Sequence, residues 1–158
     1  MTIEPVPFKT SLPGRDTLGF DGFRSISYRV DGLVHFDGEI VTFEWTTTRH
    51  SEDVLFGGVE ERDDVSGPEL LDLPVSWIGA AALERAWWRP RLMLRGRRLD
   101  AFDGIPGAKP GRILLPILRR DRAIAAAMAS AMEEAGRGWM LGAGESTDAW
   151  HAEAENGE

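Results

Sequence analysis

The sequence predicts a mainly β (α+β) fold, in which an antiparallel, bent sheet or partly open barrel is capped by one C-terminal helix. Apolar and polar residues alternate through much of the first half of the chain and again between residues 89 and 118. This period of two is typical of strands. One stretch with helical periodicity follows, between residues 121 and 136. The order of patterns therefore predicts consecutive strands closed by a single helix.

The helix is predicted from its start, its apolar face and its end. Asp121 stands at the N-cap position, where a carboxylate accepts hydrogen bonds from free backbone N–H groups. Ile124, Met128 and Met132 recur at four-residue intervals and form one apolar stripe. Gly136 follows and is the residue type that most readily closes a helix. We therefore expect one buried helical face that ends at Gly136.

Two strands are predicted immediately before this helix. In the first, Leu92 and Leu94 alternate with Arg91, Met93 and Arg95, which predicts a half-buried strand with a charged outer face. The second, Ile113 to Leu118, is apolar on both faces, as expected for a strand covered by a helix. Pro116 cannot donate a ladder hydrogen bond and predicts an edge, a bulge or a bend. A turn rich in proline and glycine, residues 105–111, separates the two strands.

The first half of the chain predicts a β-meander. Three alternating runs between residues 23 and 46 are separated by Asp31-Gly32 and by Asp37-Gly38. Asp-Gly between alternating runs is a strong hairpin signal. The segment from Gly57 to Pro68 contains five consecutive charged residues and predicts a solvated loop. Further on, the pattern predicts a short strand over 75–78, and a strand over 80–84 that pairs with 89–96.

The length of 158 residues and the apolar content of 42% predict one domain. We expect an extended N-terminal segment over 1–22, the domain over 23–136, and an acidic, disordered tail over 137–158. No apolar run reaches the roughly 20 residues that a membrane-spanning helix needs, and no secretory signal pattern is present. These features predict a cytoplasmic protein. The absence of cysteine excludes disulfides and thiolate chemistry.

The net charge of -8 is unevenly distributed along the chain. Residues 1–74 carry 6 basic and 15 acidic side chains, residues 75–135 carry 11 and 6, and residues 136–158 carry 1 and 5. The basic middle segment can therefore associate with the acidic first half, within one molecule or between copies. The acidic segments would also repel a polyanion that approaches the basic one.

The residues required for catalysis are not grouped in this sequence. The three histidines lie far apart, and no nucleophile-elbow, zinc-protease, phosphate-loop or dinucleotide motif occurs. His50 with Glu52 and Asp53 is the one compact candidate for a metal site, and the acidic run at 60–64 lacks the spacing of a calcium loop. We expect both to be solvated surface. The sequence predicts no enzyme activity, no metal and no cofactor.

Arginines interleaved with tryptophans form the candidate binding surface. Six arginines between residues 85 and 98 surround the Trp87-Trp88 pair. Such a surface can clamp phosphates and stack on bases, can contribute hot spots to a protein interface, or can simply be a solvated face. The predicted binding residues are Trp87, Trp88, Arg89, Arg91 and Arg95.

The succession of strands closed by one helix resembles the pleckstrin-homology-like (PH-like) superfamily, in particular its bacterial members. The resemblance covers roughly residues 23–136 and rests on the strands at 75–78, 88–95 and 111–115 and on Arg119-Arg120-Asp121-Arg122 at the helix start. It implies a binding or scaffold module that recognises proteins, peptides or lipid headgroups. We therefore expect a non-catalytic module whose partner is a protein or a second copy. Phosphoinositide-binding members place basic residues in the first hairpins, where this chain has Asp31, Asp37 and Glu39. Nucleic-acid or anionic-lipid binding through the arginine and tryptophan face is the first alternative, and an unrecognised enzyme is the second.

Overall fold

The computed structural model describes residues 3–84 and 88–148, with side chains described up to residue 141. Within these residues, seven strands precede one α-helix. Their bounds are β1 Val6–Gly19, β2 Gly22–Phe36, β3 Ile40–Leu55, β4 Gly58–Pro74, β5 Ile78–Glu84, β6 Arg91–Gly96, β7 Arg112–Pro116 and α1 Arg122–Asp148.

The strands form two antiparallel sheets. Sheet A has the order β1-β2-β3-β4 and sheet B the order β5-β6-β7. One isolated bridge between Phe8 and Ile117 joins the edge of sheet A to the end of sheet B. Helix α1 packs mainly against β5 and the 3-10 turn that precedes it. The predicted fold class, antiparallel sheet capped by one C-terminal helix, is therefore confirmed.

The core lies between one half of sheet A, the inner face of sheet B and the helix. Its largest fully buried side chains include Phe8, Phe43, Phe102, Leu92 and Met128. Phe43 of sheet A meets Phe102 of the β6–β7 connection edge to face, with ring centroids 6.2 Å apart. Leu92 and Leu94 are buried while Arg91 and Arg95 lie on the opposite face of β6. The predicted alternation in this strand is confirmed.

The buried face of α1 is confirmed, but its predicted end at Gly136 is wrong. Met128 and Met132 are fully buried, whereas the helix continues through Gly136 to Asp148. Gly136 serves close packing, because a Cβ atom there would lie 3.3 Å from the carbonyl oxygen of Ile78. Arg97 also donates a hydrogen bond to the carbonyl oxygen of Gly136 over 3.2 Å. The sequence alone does not distinguish a glycine that allows a neighbouring backbone to approach closely from a glycine that ends a helix.

Asp121 lies in a short 3-10 turn, Arg119–Asp121, directly before the helix. Its Oδ2 atom is buried and has no hydrogen-bond partner in the described part of the chain. Oδ1 lies 3.7 Å from Nε of Arg120. The helix thus begins where the sequence predicts, but the tight turn replaces the predicted capping geometry.

Of the two predicted Asp-Gly hairpins, one is confirmed and one is wrong. The Asp37-Gly38 turn joins β2 to β3, and Oδ1 of Asp37 accepts hydrogen bonds from the N–H groups of Glu39 (2.9 Å) and Ile40 (2.8 Å). These bonds lower the pKa of Asp37. At Asp31-Gly32 there is no turn, and β2 continues through both residues. Gly32 instead leaves space for the ring of Phe8, because a Cβ atom at this position would lie 2.4 Å from Cζ of Phe8.

The predicted acidic loop between Gly57 and Pro68 is wrong, because this segment is the first half of strand β4. It pairs with β3 from Leu55↔Gly58 onwards. Together with the adjoining parts of β1, β2 and β3, it forms an extension of sheet A beyond the core. We call this extension the arm and define it as residues 13–29 and 47–67. Charged side chains can occupy a strand here because most of the arm is exposed to solvent.

Four further predictions concern the ends of elements and the two termini. Val75–Trp77 forms a 3-10 turn instead of a strand, and β5 begins at Ile78. The predicted pairing of 80–84 with the following strand is confirmed. Strand β1 lies within the predicted N-terminal segment 1–22 and places Val6 and Phe8 in the core. Of the predicted tail, residues 137–148 continue the helix, and residues 149–158 lie outside the described part.

Candidate functional site

The predicted binding residues lie on β6 and on the segment before it. Trp87 falls outside the described residues. Trp88 is 77% exposed and Arg89 is also exposed. Arg91 is half-buried at the start of β6, and Arg95 is exposed near its end. The structure therefore brings Trp88, Arg89 and Arg91 together and places Arg95 at the opposite end of the strand.

Trp88, Arg89 and Arg91 line a cleft of about 490 Å³ where sheet A meets sheet B. The other wall comes from β1 and from the end of β7: Lys9, Thr10, Ser11 and Pro116. Two backbone contacts hold the walls together. Phe8 forms the bridge to Ile117, and the N–H of Ile117 donates to the carbonyl oxygen of Pro90 over 3.0 Å. These backbone contacts join the three segments that line the cleft.

The cleft contains three cations, of which two already contact carboxylates. Arg91 lies 3.0 Å from Oε2 of Glu84, and Lys9 lies 3.2 Å from Oδ1 of Asp31. Arg89 forms no ion pair within the described residues. Nε of Arg91 is buried and lacks a hydrogen-bond partner in the same part of the chain. The cleft therefore offers anion-binding donors, hydroxyl groups and an indole ring next to one another.

Sequence reasoning missed the β1 wall of the cleft. Lys9, Thr10 and Ser11 belong to a segment that the sequence places outside the domain. They reach Arg89 and Arg91 through an inter-sheet bridge that spans more than a hundred residues of sequence. No local pattern in the sequence encodes that contact, although the alternation of Val6 and Phe8 with Pro7 and Lys9 is compatible with an edge strand.

Two other arginines of the basic stretch have structural partners. The guanidinium of Arg98 lies 4.4 Å from the ring centroid of Trp77 and also forms two hydrogen bonds to Asp100, of 2.9 and 2.8 Å. The bond to Asp100 raises the pKa of Arg98 and lowers that of Asp100. Arg97 donates to the helix backbone at Gly136. These side chains hold the β6–β7 connection and the helix in place.

Two of the three candidate metal residues in the arm, His50 and Asp53, are engaged with other side chains. Nδ1 of His50 lies 2.6 Å from Oδ1 of Asp63, which raises the pKa of His50. Asp53 accepts a hydrogen bond from Nη2 of Arg24 over 3.0 Å, and its pKa is lowered by that guanidinium. Among residues 3–84 and 88–141, no three His, Asp or Glu side chains are grouped to hold a metal ion.

A larger groove of about 820 Å³ runs between helix α1 and the β2–β3 turn. Its floor is apolar and built from Ile3, Phe36, Ile124 and several alanines of the helix. Its lining also includes three carboxylates, those of Glu4, Asp37 and Glu134. In contrast to the cationic cleft, this groove therefore disfavours an acidic ligand.

Comparison with protein-family models, with curated proteins and with solved structures finds no significant match to this chain. None of the helices in the described part of the chain is long and apolar enough to cross a membrane.

Proposed function

We propose that this chain is a non-catalytic, PH-like protein-interaction domain whose cationic cleft binds an acidic segment of a partner protein. The observation that carries the proposal is the convergence of Lys9, Arg89 and Arg91 with the exposed indole of Trp88 in one cleft between the sheets. Arginine and tryptophan are the side chains most enriched in interface hot spots. The arrangement of antiparallel sheets with one C-terminal helix supports the PH-like assignment.

The balance of charges in the cleft favours a peptide over a polyanion. Glu84 and Asp31 neutralise much of the charge of Arg91 and Lys9, so the cleft lacks the continuous positive field that binds nucleic acid. A partner carboxylate can instead approach Arg89, while apolar partner atoms pack on Trp88. Nucleic-acid or anionic-lipid binding is the alternative, and it predicts a steep fall of affinity with salt.

The proposal is tested by crosslinking in the native host with tagged full-length chain, followed by identification of the captured proteins. We expect one reproducible partner that is lost in Trp88→Ala and in Arg89→Glu. Arg122→Glu, at the exposed start of the helix, is the matched control and should retain the partner.

The alternative is tested with single-stranded DNA and with anionic vesicles at about 150 mM salt, where the screening length is about 8 Å. We expect no binding in the micromolar range to either probe. Tight, salt-sensitive binding that Arg89→Glu abolishes would replace the proposed protein partner with a polyanion. Loss of the partner only in Arg122→Glu would place the interaction outside the cleft.

A further inference from the structure

The far end of the arm carries a row of exposed apolar side chains on one face of sheet A. Leu18, Phe23, Val54 and Val59 are direct cross-strand neighbours, one from each of the four strands. Leu18 is 84% exposed and Val59 is 56% exposed. Phe20 and Phe56, in the two adjoining turns, are almost completely exposed. An apolar row of this kind indicates a contact surface, because a solvated sheet face is normally polar.

An acidic row lies directly behind the apolar row on the same face. Its members, again one from each strand, are Asp16, Ser25, Glu52 and Glu61. Asp16 accepts a hydrogen bond from Oγ of Ser25 over 2.9 Å. Glu52 and Glu61 stand directly opposite each other, and like charges in this position destabilise a strand pair.

The outer face of sheet B has the same order of rows with the opposite charge. Its apolar row consists of Ala82, Met93 and Leu114, and Met93 and Leu114 are only partly buried. The next row contains Arg95 directly opposite Arg112. None of Glu52, Glu61, Arg95 and Arg112 forms an ion pair within residues 3–84 and 88–141. Each sheet thus holds a like-charge pair beside an apolar row, with no ion pair to either member in this part of the chain.

We propose that the arm of one molecule packs on the outer face of sheet B of a second copy, with apolar row on apolar row and Glu52 and Glu61 against Arg95 and Arg112. The two rows are separated by two residues in both sheets, which corresponds to about 6.7 Å along a strand in each case. Both pairs of rows can therefore meet in one docked arrangement. The contact relieves two unfavourable pairs of opposite sign at once.

The two surfaces are different, so the contact is heterologous and leaves one arm and one sheet B face unoccupied in a pair. Such contacts continue into open chains or close into rings. The apolar rows are small compared with the roughly 800 Å² per partner of a standard stable interface. We therefore expect reversible association that weakens as salt screens the charge pairs.

A second copy fits the arm better than the other apolar surfaces available to it. An anionic bilayer repels the carboxylates that stand immediately behind the apolar row. The groove beside helix α1 also carries acidic groups, Glu4, Asp37 and Glu134. The outer face of sheet B combines a partly exposed apolar row with two arginines that form no ion pair within the described residues, and so it matches the arm in both properties.

Sedimentation velocity over a concentration series tests this contact by charge exchange. The wild-type chain should grow beyond a dimer with concentration and return to monomer at high salt. E52R/E61R and R95E/R112E should each remain monomeric. In either variant the arm and the outer face of sheet B carry charges of the same sign and repel each other. The two variants mixed, or all four substitutions in one chain, should associate again. R119E/R122E changes net charge as much as R95E/R112E does and should associate like the wild type.

Circular dichroism of every variant provides the folding control, and folding should be retained because each substituted pair stays a like-charge pair.

The inference is overturned if the wild type remains monomeric at millimolar concentration, if R95E/R112E still associates, or if the folded quadruple variant does not regain self-association. Binding of zwitterionic vesicles that Phe20→Ser with Phe56→Ser abolishes, without self-association, would assign the arm to a bilayer instead. R95E/R112E, at the end of β6 away from the cleft, should still capture the partner that binds the cleft, which separates this contact from the proposed function.

Discussion

The two halves of sheet A are built from the same strands but are stabilised in different ways. In the half next to sheet B, one face is packed into the core and includes Val30, Val34 and Phe43, all fully buried. In the arm, both faces are exposed over much of their length, and cross-strand contacts such as Arg24–Asp53 and His50–Asp63 join the strands. The core half of sheet A therefore determines the stability of the fold, whereas the side chains of the arm are available for contacts with other molecules.

The arm also shows how an exposed sheet avoids uncontrolled pairing at its edges. Strand β1 contains Pro13 and a register shift between Pro13 and Asp16. Strand β4, at the other edge, carries an acidic run and a second register shift near Gly67. Proline, bulges and charges are the features that protect edge strands from pairing with other chains. The apolar residues are instead concentrated on one face and in the turns.

The largest effect is expected for a charge placed in the core. Met128→Asp introduces a carboxylate at a fully buried position of the helix. The cost is several kcal/mol, compared with a typical total stability of about 5–15 kcal/mol. Circular dichroism should therefore show an unfolded or aggregated chain. Met140→Asp, at a position of the same helix that is 62% exposed, is the control and should melt like the wild type.

Phenylalanine substitutions compare the two halves of sheet A directly. Phe43→Ala removes a fully buried ring and should lower the free energy of unfolding by about 3–5 kcal/mol. Phe56→Ala removes a ring that is 95% exposed and should change stability little. Urea unfolding of both variants measures the difference. Equal losses would mean that the arm contributes to the core.

Glycine substitutions give a smaller effect with the same contrast. In Gly32→Ala the new Cβ atom meets Cζ of Phe8 at 2.4 Å and the carbonyl oxygen of Glu44 at 2.7 Å. Overpacking of this kind costs about 1–3 kcal/mol. Gly57→Ala, in the β3–β4 turn, meets no atom within 4 Å and is the matched control. Equal melting temperatures for the two variants would contradict the close packing of Gly32 against Phe8.

The smallest effect concerns the pH dependence of the arm. Asp63 raises the pKa of His50 in the folded protein, so the folded state binds the proton more tightly than the unfolded state. The stabilisation is complete below the ordinary histidine pKa of about 6.5, and it is lost as the pH rises through the raised pKa. An NMR titration should show the His50 pKa falling towards its ordinary value in Asp63→Asn. An unchanged titration would assign the shift to the neighbouring glutamates.

The sequence predicts those parts of the fold that rest on local periodicity. The buried face of α1, the alternation in β6 and the Asp37-Gly38 turn follow from the spacing of a few residues. The errors at Gly32 and Gly136 have one cause. In both places glycine admits a distant group, the ring of Phe8 or the carbonyl of Ile78. Local sequence cannot distinguish close packing of this kind from a turn or a helix end.

The candidate site is predictable only in part, for the same reason. Trp88, Arg89 and Arg91 stand out as aromatic and basic neighbours in the sequence, whereas Lys9, Thr10 and Ser11 join them through an inter-sheet bridge. The acidic segment at 60–64 looks like a loop because strands seldom carry so many charges. It is a strand because β3 supplies the hydrogen bonds and solvent surrounds its side chains. Both contacts are set by strand register, which depends on residues far apart in the chain.

Amide hydrogen exchange along β2 and β3, at a concentration where the chain is monomeric, tests the contrast between core and arm most directly. Local opening is least costly where few apolar contacts are buried. We predict strong protection for residues 30–36 and 41–45 and much weaker protection for residues 23–28 and 48–54 of the same strands. Uniform protection along both strands would contradict the account, because the arm would then be as firmly held as the core.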